Sequence, residues 1–331
     1  MYLLQGIYND GYNHNNICMK IKSVLVAGAG AIGLSVAEAI FKSDPKCISI
    51  LAKGERLERY RTNGLRVNGE KLDFRFSHGE KADFIIVTCK FHHLEQIIED
   101  IKPSVDKDTI ILSLLNGISS EDIIGARLGR ERLPLAMLLG TDASHEEGET
   151  RYTRMGVIHF GDAEGKNGER ENTIADFFTR TGVKFVLEQN MKRKLWFKYM
   201  MNVGANQTTA VLRLPYGAIQ NKGGKEEIPE AKLLLEKAMR EVIAVANAEG
   251  IDLNDGDIES IYNTVNMLSP TASTSMYQDV LAGRKTELEM FGFTLMKLAE
   301  KHRISVPVNE ILYLQLRTIE KTYPCPAAQN T

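Results

Sequence analysis

Residues 23–41 read Ser-Val-Leu-Val-Ala-Gly-Ala-Gly-Ala-Ile-Gly-Leu-Ser-Val-Ala-Glu-Ala-Ile-Phe. A β-branched run at 24–27 passes directly into Gly28-Ala29-Gly30-Ala31-Ile32-Gly33 and then into apolar residues at helical spacing. Strand, glycine turn and helix in immediate succession predict the first βαβ unit of a parallel sheet. Each glycine has a mechanical use: Gly28 permits the tight turn, Gly30 lets a ligand approach the backbone, and Gly33 lets the helix pack close to the strand. The helix N-terminus then faces whatever the turn cradles, with unpaired N–H groups suited to a pyrophosphate. Residues 28–33 are therefore a candidate dinucleotide site, and the strand at 48–51 has the spacing such a unit needs.

An NAD-binding unit usually ends its second strand in Asp or Glu, which binds the ribose 2′-hydroxyl. Here that stretch is Leu51-Ala52-Lys53-Gly54-Glu55-Arg56, with Lys53 where the acid is expected and Arg56 after it. Two cations suit a 2′-phosphate, so NADP(H) is the expected cofactor, with Glu55 as the dissenting residue. Further strands are predicted at 84–88, 110–114 and 135–139, with hairpin-like stretches at 65–76 and 150–160 and an edge strand at 183–187. Lys90 follows one of these strands and Asn116-Gly117 another, at the carboxyl edge where open parallel sheets bind ligands, so Lys90 and Asn116 join the candidate cofactor residues.

Beyond residue 188 strand signals stop, and helices are expected at 191–211, 225–248, 255–267, 274–281, 287–302 and 308–322. The fold class is thus α/β plus all-α: a Rossmann-type domain at 20–188, a helical domain at 189–325, a loose extension at 1–19 and a tail at 326–331. In the first of these helices Lys198, Asn202 and Asn206 stand four apart in otherwise apolar or small surroundings. At about 100° per residue they share one face over about 12 Å. A solvated face would carry mixed charges, whereas one ammonium and two carboxamides in apolar packing ask for a small polar ligand.

The 331 residues carry a formal charge of −2 and no basic block with interleaved aromatics, which argues against nucleic-acid binding. Cys18, Cys47, Cys89 and Cys325 are scattered and read as free thiols in a reducing compartment. Residues 1–18 lack the basic start and apolar core of a signal peptide, and Met19 is a plausible alternative start. With no apolar run of membrane-spanning length, a cytoplasmic location is expected. His14, His78, His92, His93, His145, His159 and His302 form no ligand spacing, and no metal is expected.

Five separated motifs in order carry a resemblance: GAGAIG at 28–33, VTCK at 87–90, LNG at 115–117, KLWFKYMMNVGANQTTA at 194–210 and STSMYQDVLAGRKTELE at 273–289. The chain resembles the ketopantoate reductase (2-dehydropantoate 2-reductase) family over almost its whole length from Met19. The resemblance implies NADPH-dependent reduction of a 2-keto acid held between the domains, ketopantoate to pantoate in pantothenate biosynthesis. It places Lys198 on the family's catalytic lysine and Glu287 on the glutamate near it. Asn202, Asn206 and Ser275 fall on substrate-binding positions, Lys90 and Asn116 on cofactor contacts, and Lys53 on the basic residue reading the 2′-phosphate. Two positions depart from patterns seen in the family: Arg213 replaces an asparagine after the long helix, and Gly292-Phe293 an Asn-Gly.

Hydride addition to a ketone puts negative charge on oxygen, which needs a cation or proton donor. Lys198 can be both; desolvation would lower its pKa and Glu287 would favour its charged form. Other readings stay open: a reductase of another branched 2-keto acid, a 3-hydroxyacid dehydrogenase, which shares the K-x-x-x-N spacing, or an NADP(H)-sensing module without turnover. The helical half could also pair two copies into a homodimer.

Overall fold

The computed structural model describes residues 20–146 and 148–323. The expected extension and tail, with His14, Cys18 and Cys325, lie outside the described residues. Among the described residues the chain forms two compact units, 20–116 with 120–192, and 117–119 with 193–323.

In chain order the first unit contains β1 (Val24–Ala27), α1 (Ala31–Ser43), β2 (Ile48–Ile50), α2 (Gly54–Asn63), β3 (Leu65–Val67), β4 (Glu70–Leu72), β5 (Arg75–Phe76) and β6 (Phe84–Val87). It continues through α3 (Leu94–Ile101), β7 (Ile110–Ser113), α4 (Ser120–Leu128), β8 (Leu135–Leu139), β9 (Ser144–Glu146), β10 (Glu149–Arg151), β11 (Val157–Gly161), α5 (Glu169–Thr181) and β12 (Phe185–Leu187). The central sheet has the order β5-β2-β1-β6-β7, every neighbour parallel. All four residues of β1 are buried, and they alternate between two cores: Val24 and Val26 face one, Leu25 and Ala27 the other. A strand covered on both faces needs an uninterrupted apolar run, which is why β1 and β6 read Val-Leu-Val-Ala and Phe-Ile-Ile-Val.

Residues 135–139 do form a strand, but β8 leaves the parallel sheet. It pairs antiparallel with β11, which pairs parallel with β12, so that 183–187 closes this second sheet and not the first. An apolar strand does not reveal its partner, which explains the difference. The expected hairpin at 65–76 is β3-β4, turning through Asn68 and Gly69 at φ 50° and 86°, while β5 lies beside β2 at the parallel edge. The expected hairpin at 150–160 is not formed: β10 joins β9 and β3, and β11 goes elsewhere.

The second unit contains α6 (Met191–Leu212), α7 (Pro229–Ala248), α8 (Asp255–Asn266), α9 (Ser275–Leu281), α10 (Thr294–His302) and α11 (Pro307–Lys321). The helix expected from 225 starts at Pro229, because proline suits the first helical turn and holds the preceding Ile228 extended, at φ −115° and ψ 106°. Pro307 likewise opens α11, and the break before it is Arg303 in the left-handed region at φ 56°. A single helix was expected over 287–302. Instead a π-helical turn, Glu289–Phe293, precedes α10. Among the described residues no helix is long and apolar enough to cross a membrane.

Helix α5 joins the parallel sheet to the β12-β11-β8 sheet. The Phe178 ring is fully buried, with its centroid 5.9 Å from those of Phe84 on β6, Phe160 on β11 and Phe185 on β12. Truncation to alanine at such a site costs about 3–5 kcal/mol. Phe178→Ala is therefore expected to lose about that much in urea unfolding, and a loss under about 1 kcal/mol would show that this ring is not what couples the sheets.

Candidate active site

Residues 28–33 follow β1 at the carboxyl edge of the parallel sheet. Gly28 has φ +126°, and a Cβ there would lie 2.8 Å from the Thr88 carbonyl carbon and hydroxyl oxygen. At Gly33 a Cβ would meet the Gly28 carbonyl oxygen at 1.8 Å, so both positions exclude any side chain. Gly30 differs: a Cβ there would find nothing within 4 Å, so its missing side chain leaves open space in front of the backbone. Gly30 is the N-cap of α1 with no side-chain cap, and no acid stands in the first turn. Two glycines shape the turn and the third opens it toward a bare helix N-terminus, with Ala29, Ala31 and Ile32 between them, an arrangement that fits a pyrophosphate. Thr88, just after β6, donates its hydroxyl to the Gly28 carbonyl at 2.8 Å and pins the turn to the neighbouring strand. Thr88 lies inside the VTCK motif, but its pairing was not legible there because its partner is 60 residues away.

Lys53, Lys90 and Asn116 follow β2, β6 and β7 at that same edge, at the place where strand order reverses around β1. Lys53 is the N-cap of α2, and its ammonium lies 2.8 Å from Asp100 on α3. With the lysine side chain 55% exposed, the pair is worth about 0–1 kcal/mol, and a phosphate dianion can compete for it. The sequence offered no sign of Asp100, 47 residues away. His92 and His93 fall in a short 3-10 turn after Lys90 with ring centroids 4.2 Å apart, side by side where helical geometry would splay them. Among the described residues no three His, Cys, Asp or Glu side chains gather where they could hold a metal ion.

The other group of residues lies in the second unit, and there Lys198, Asn202 and Asn206 do line one face of α6. Asn202 and Asn206 are buried, and they are linked: Asn206 Nδ2 donates to Asn202 Oδ1 at 3.3 Å. Asn206 Oδ1 accepts from the Ser275 hydroxyl at 3.2 Å and from the Met276 amide at 3.3 Å. Ser275 opens α9, whose N-cap Thr274 shares a 2.8 Å hydroxyl pair with Thr209 of α6. The chain Ser275, Asn206, Asn202 thus exists as a hydrogen-bonded relay, whereas the sequence had suggested three separate donors.

Burial pulls the Lys198 ammonium down from its ordinary value to about 8, and the Glu287 carboxylate opposes that pull by favouring the charged form. Glu287 is itself buried, and its carbonyl accepts from Met290 at 3.1 Å, at the start of the π turn. Its neighbour Thr286 is held by Glu320 of α11 through both amide and hydroxyl, at 2.9 and 2.6 Å. A half-buried amine with its pKa lowered to about 8, sharing a helix face with a carboxamide relay and acted on by a carboxylate, can protonate a developing alkoxide and bind a small polar acid. Arg213 follows α6 exposed and left-handed, at φ 55°, a conformation asparagine adopts more readily.

Comparison with known proteins identifies the family. Residues 24–165 match the family model described as ketopantoate reductase PanE/ApbA, and residues 190–320 match its C-terminal counterpart. The chain is 24% identical over 305 residues to the uncharacterized oxidoreductase YkpB of Bacillus subtilis, covering 89% of this chain and 98% of that protein. It is 25% identical over 293 residues to a 2-dehydropantoate 2-reductase of Streptococcus pyogenes, covering 86% of this chain and 93% of the relative. The crystal structure of a 2-dehydropantoate 2-reductase from Geobacter metallireducens superimposes with a TM-score of 0.78 at 25% identity, covering 89% and 99% of the two chains. The two matched models span both halves of the molecule, and the protein belongs to the ketopantoate reductase family of oxidoreductases.

Proposed function

We propose that the protein reduces 2-dehydropantoate (ketopantoate) to pantoate with NADPH, Lys198 acting as proton donor. The observation that carries this reading is the half-buried Lys198 ammonium, drawn down to about 8 by desolvation against the opposing charge of Glu287, on the same helix face as the buried Asn202 and Asn206. When bound, the nicotinamide supplies the hydride that adds to C2 of the keto acid. Lys198 Nζ meets the negative charge that then develops on the carbonyl oxygen and passes its proton there, leaving a 2-hydroxy acid and a neutral amine. Glu287 keeps the amine charged until that moment.

Asn202 accepts from Asn206, so its own amide hydrogens are the donors it offers a substrate hydroxyl or carboxylate. Ser275, exposed at the start of α9, offers its hydroxyl to the carboxylate by rotating away from Asn206. On the cofactor side Gly28–Gly33 take the pyrophosphate, Lys90 and Asn116 the nicotinamide half, and Lys53 the 2′-phosphate, exchanging Asp100 for it. Ile311 and Leu314, three apart and exposed on α11, support a homodimer through the helical half, and Cys47 and Cys89, in no disulfide, suit the reducing cytoplasm.

NADPH oxidation measured over a panel of 2-keto acids is expected to favour ketopantoate over 2-ketoisovalerate; preference for the latter would reassign the substrate, and silence across the panel would point to a sensing role. In Lys198→Ala kcat is expected to fall by at least about a hundredfold with NADPH binding retained. Turnover close to that of the parent would remove the lysine from the reaction. Lys53→Ala should raise the KM for NADPH about tenfold and leave that for NADH in place, and equal turnover with the two cofactors in the parent protein would contradict the NADP assignment.

A further inference from the structure

Helix α6 presents a second face to the helix that begins after Glu287. Tyr199, next in sequence to Lys198, is 1% exposed, and its hydroxyl donates to the carbonyl of Phe291 at 2.6 Å. Phe291 lies within the π turn Glu289–Phe293, so the tyrosine hydroxyl is anchored on a carbonyl of the turn itself. A side chain that bonds into the i to i−4 ladder is a recognised cause of helix distortion.

Two turns along the same helix Gln207 presses on that turn as well. A Cβ on Gly292 would lie 2.6 Å from the Gln207 Oε1, so glycine is what lets the π turn lie this close to α6. The consequence for the site is rotational. A π turn holds one residue more than an α turn, and closing it would rotate everything N-terminal to it by about 100° relative to α10. The first residue so rotated that carries a site charge is Glu287, the carboxylate acting on Lys198.

We propose that Tyr199 is a positioning residue for the proton donor: its hydroxyl, bound to the Phe291 carbonyl, holds the π turn open and thereby sets where Glu287 stands relative to Lys198. Tyr199 touches neither substrate nor reacting atoms in this scheme and acts through Glu287. The inference rests on the reading of Lys198 as proton donor, and its test has to separate the two.

The test is the reactivity of the Lys198 amine, followed by competitive acylation with acetic anhydride as a function of pH and read by mass spectrometry, without substrate or cofactor. In Tyr199→Phe the ring stays and the hydrogen bond to the Phe291 carbonyl is lost. Glu287 then supports the ammonium less, so the labelling midpoint of Lys198 is expected to fall by about half a unit or more. Glu287→Gln should lower it too, and Tyr199→Phe/Glu287→Gln should lie no lower than Glu287→Gln alone. In Tyr199→Phe kcat should fall about tenfold with the KM for NADPH unchanged. An unmoved midpoint in folded Tyr199→Phe, or a further drop in the double variant, would overturn the proposal. A moved midpoint with unchanged kcat would sustain the positioning role and refute Lys198 as the acid.

Discussion

One ammonium in the wrong solvent organises the helical unit. Lys198 gives up hydration to sit among apolar neighbours of α6, and the pull of burial on its proton is checked by a single opposing carboxylate, Glu287. On the proposed reading both influences serve the acid: burial loosens the proton, and Glu287 favours the charged form. The elements around the pair act on this balance. Glu320 fixes Thr286 on one side of Glu287, and the π turn follows on the other. The bonds from Ser275 and Met276 set the orientation of the Asn206 amide on the same helix face as the lysine.

The first unit solves a different problem, which is to bring backbone close to a charged ligand without charged side chains in the way. Gly28 and Gly33 have no room for a Cβ because strand, turn and helix are packed against one another there, and Thr88 locks the arrangement. Gly30 has room and leaves it open. The glycine motif thus contains two kinds of glycine, and substitution should act on them through different causes: collision at 28 and 33, and obstruction of the ligand at 30.

Features determined within a few residues were legible in the sequence. The glycine turn of 28–33 and the four-residue spacing of Lys198, Asn202 and Asn206 follow from helix and strand periods alone, and both lie where those periods put them. Features that depend on a distant partner were not. Residues 135–139 were recognisable as a strand but not as a member of a separate sheet, because the choice belongs to β11. Glu289–Phe293 looks helical in isolation, and the tyrosine that bonds its Phe291 carbonyl lies 92 positions earlier. Asp100 beside Lys53 and the Ser275 contact to Asn206 were hidden for the same reason, since side-chain pairing across a fold leaves no local periodicity.

The central claim is that a protonated, desolvated Lys198 delivers the proton, and it is tested most directly by the pH dependence of the single-turnover rate of keto acid reduction. The lysine is depressed from its ordinary value to about 8, so the donor is present below that pH and is lost as pH rises through it. The account predicts a rate that is level near neutrality and falls tenfold per unit above a midpoint close to 8, the limb being absent in Lys198→Ala. A rate still level at a pH near the ordinary lysine value of about 10.4 would contradict it.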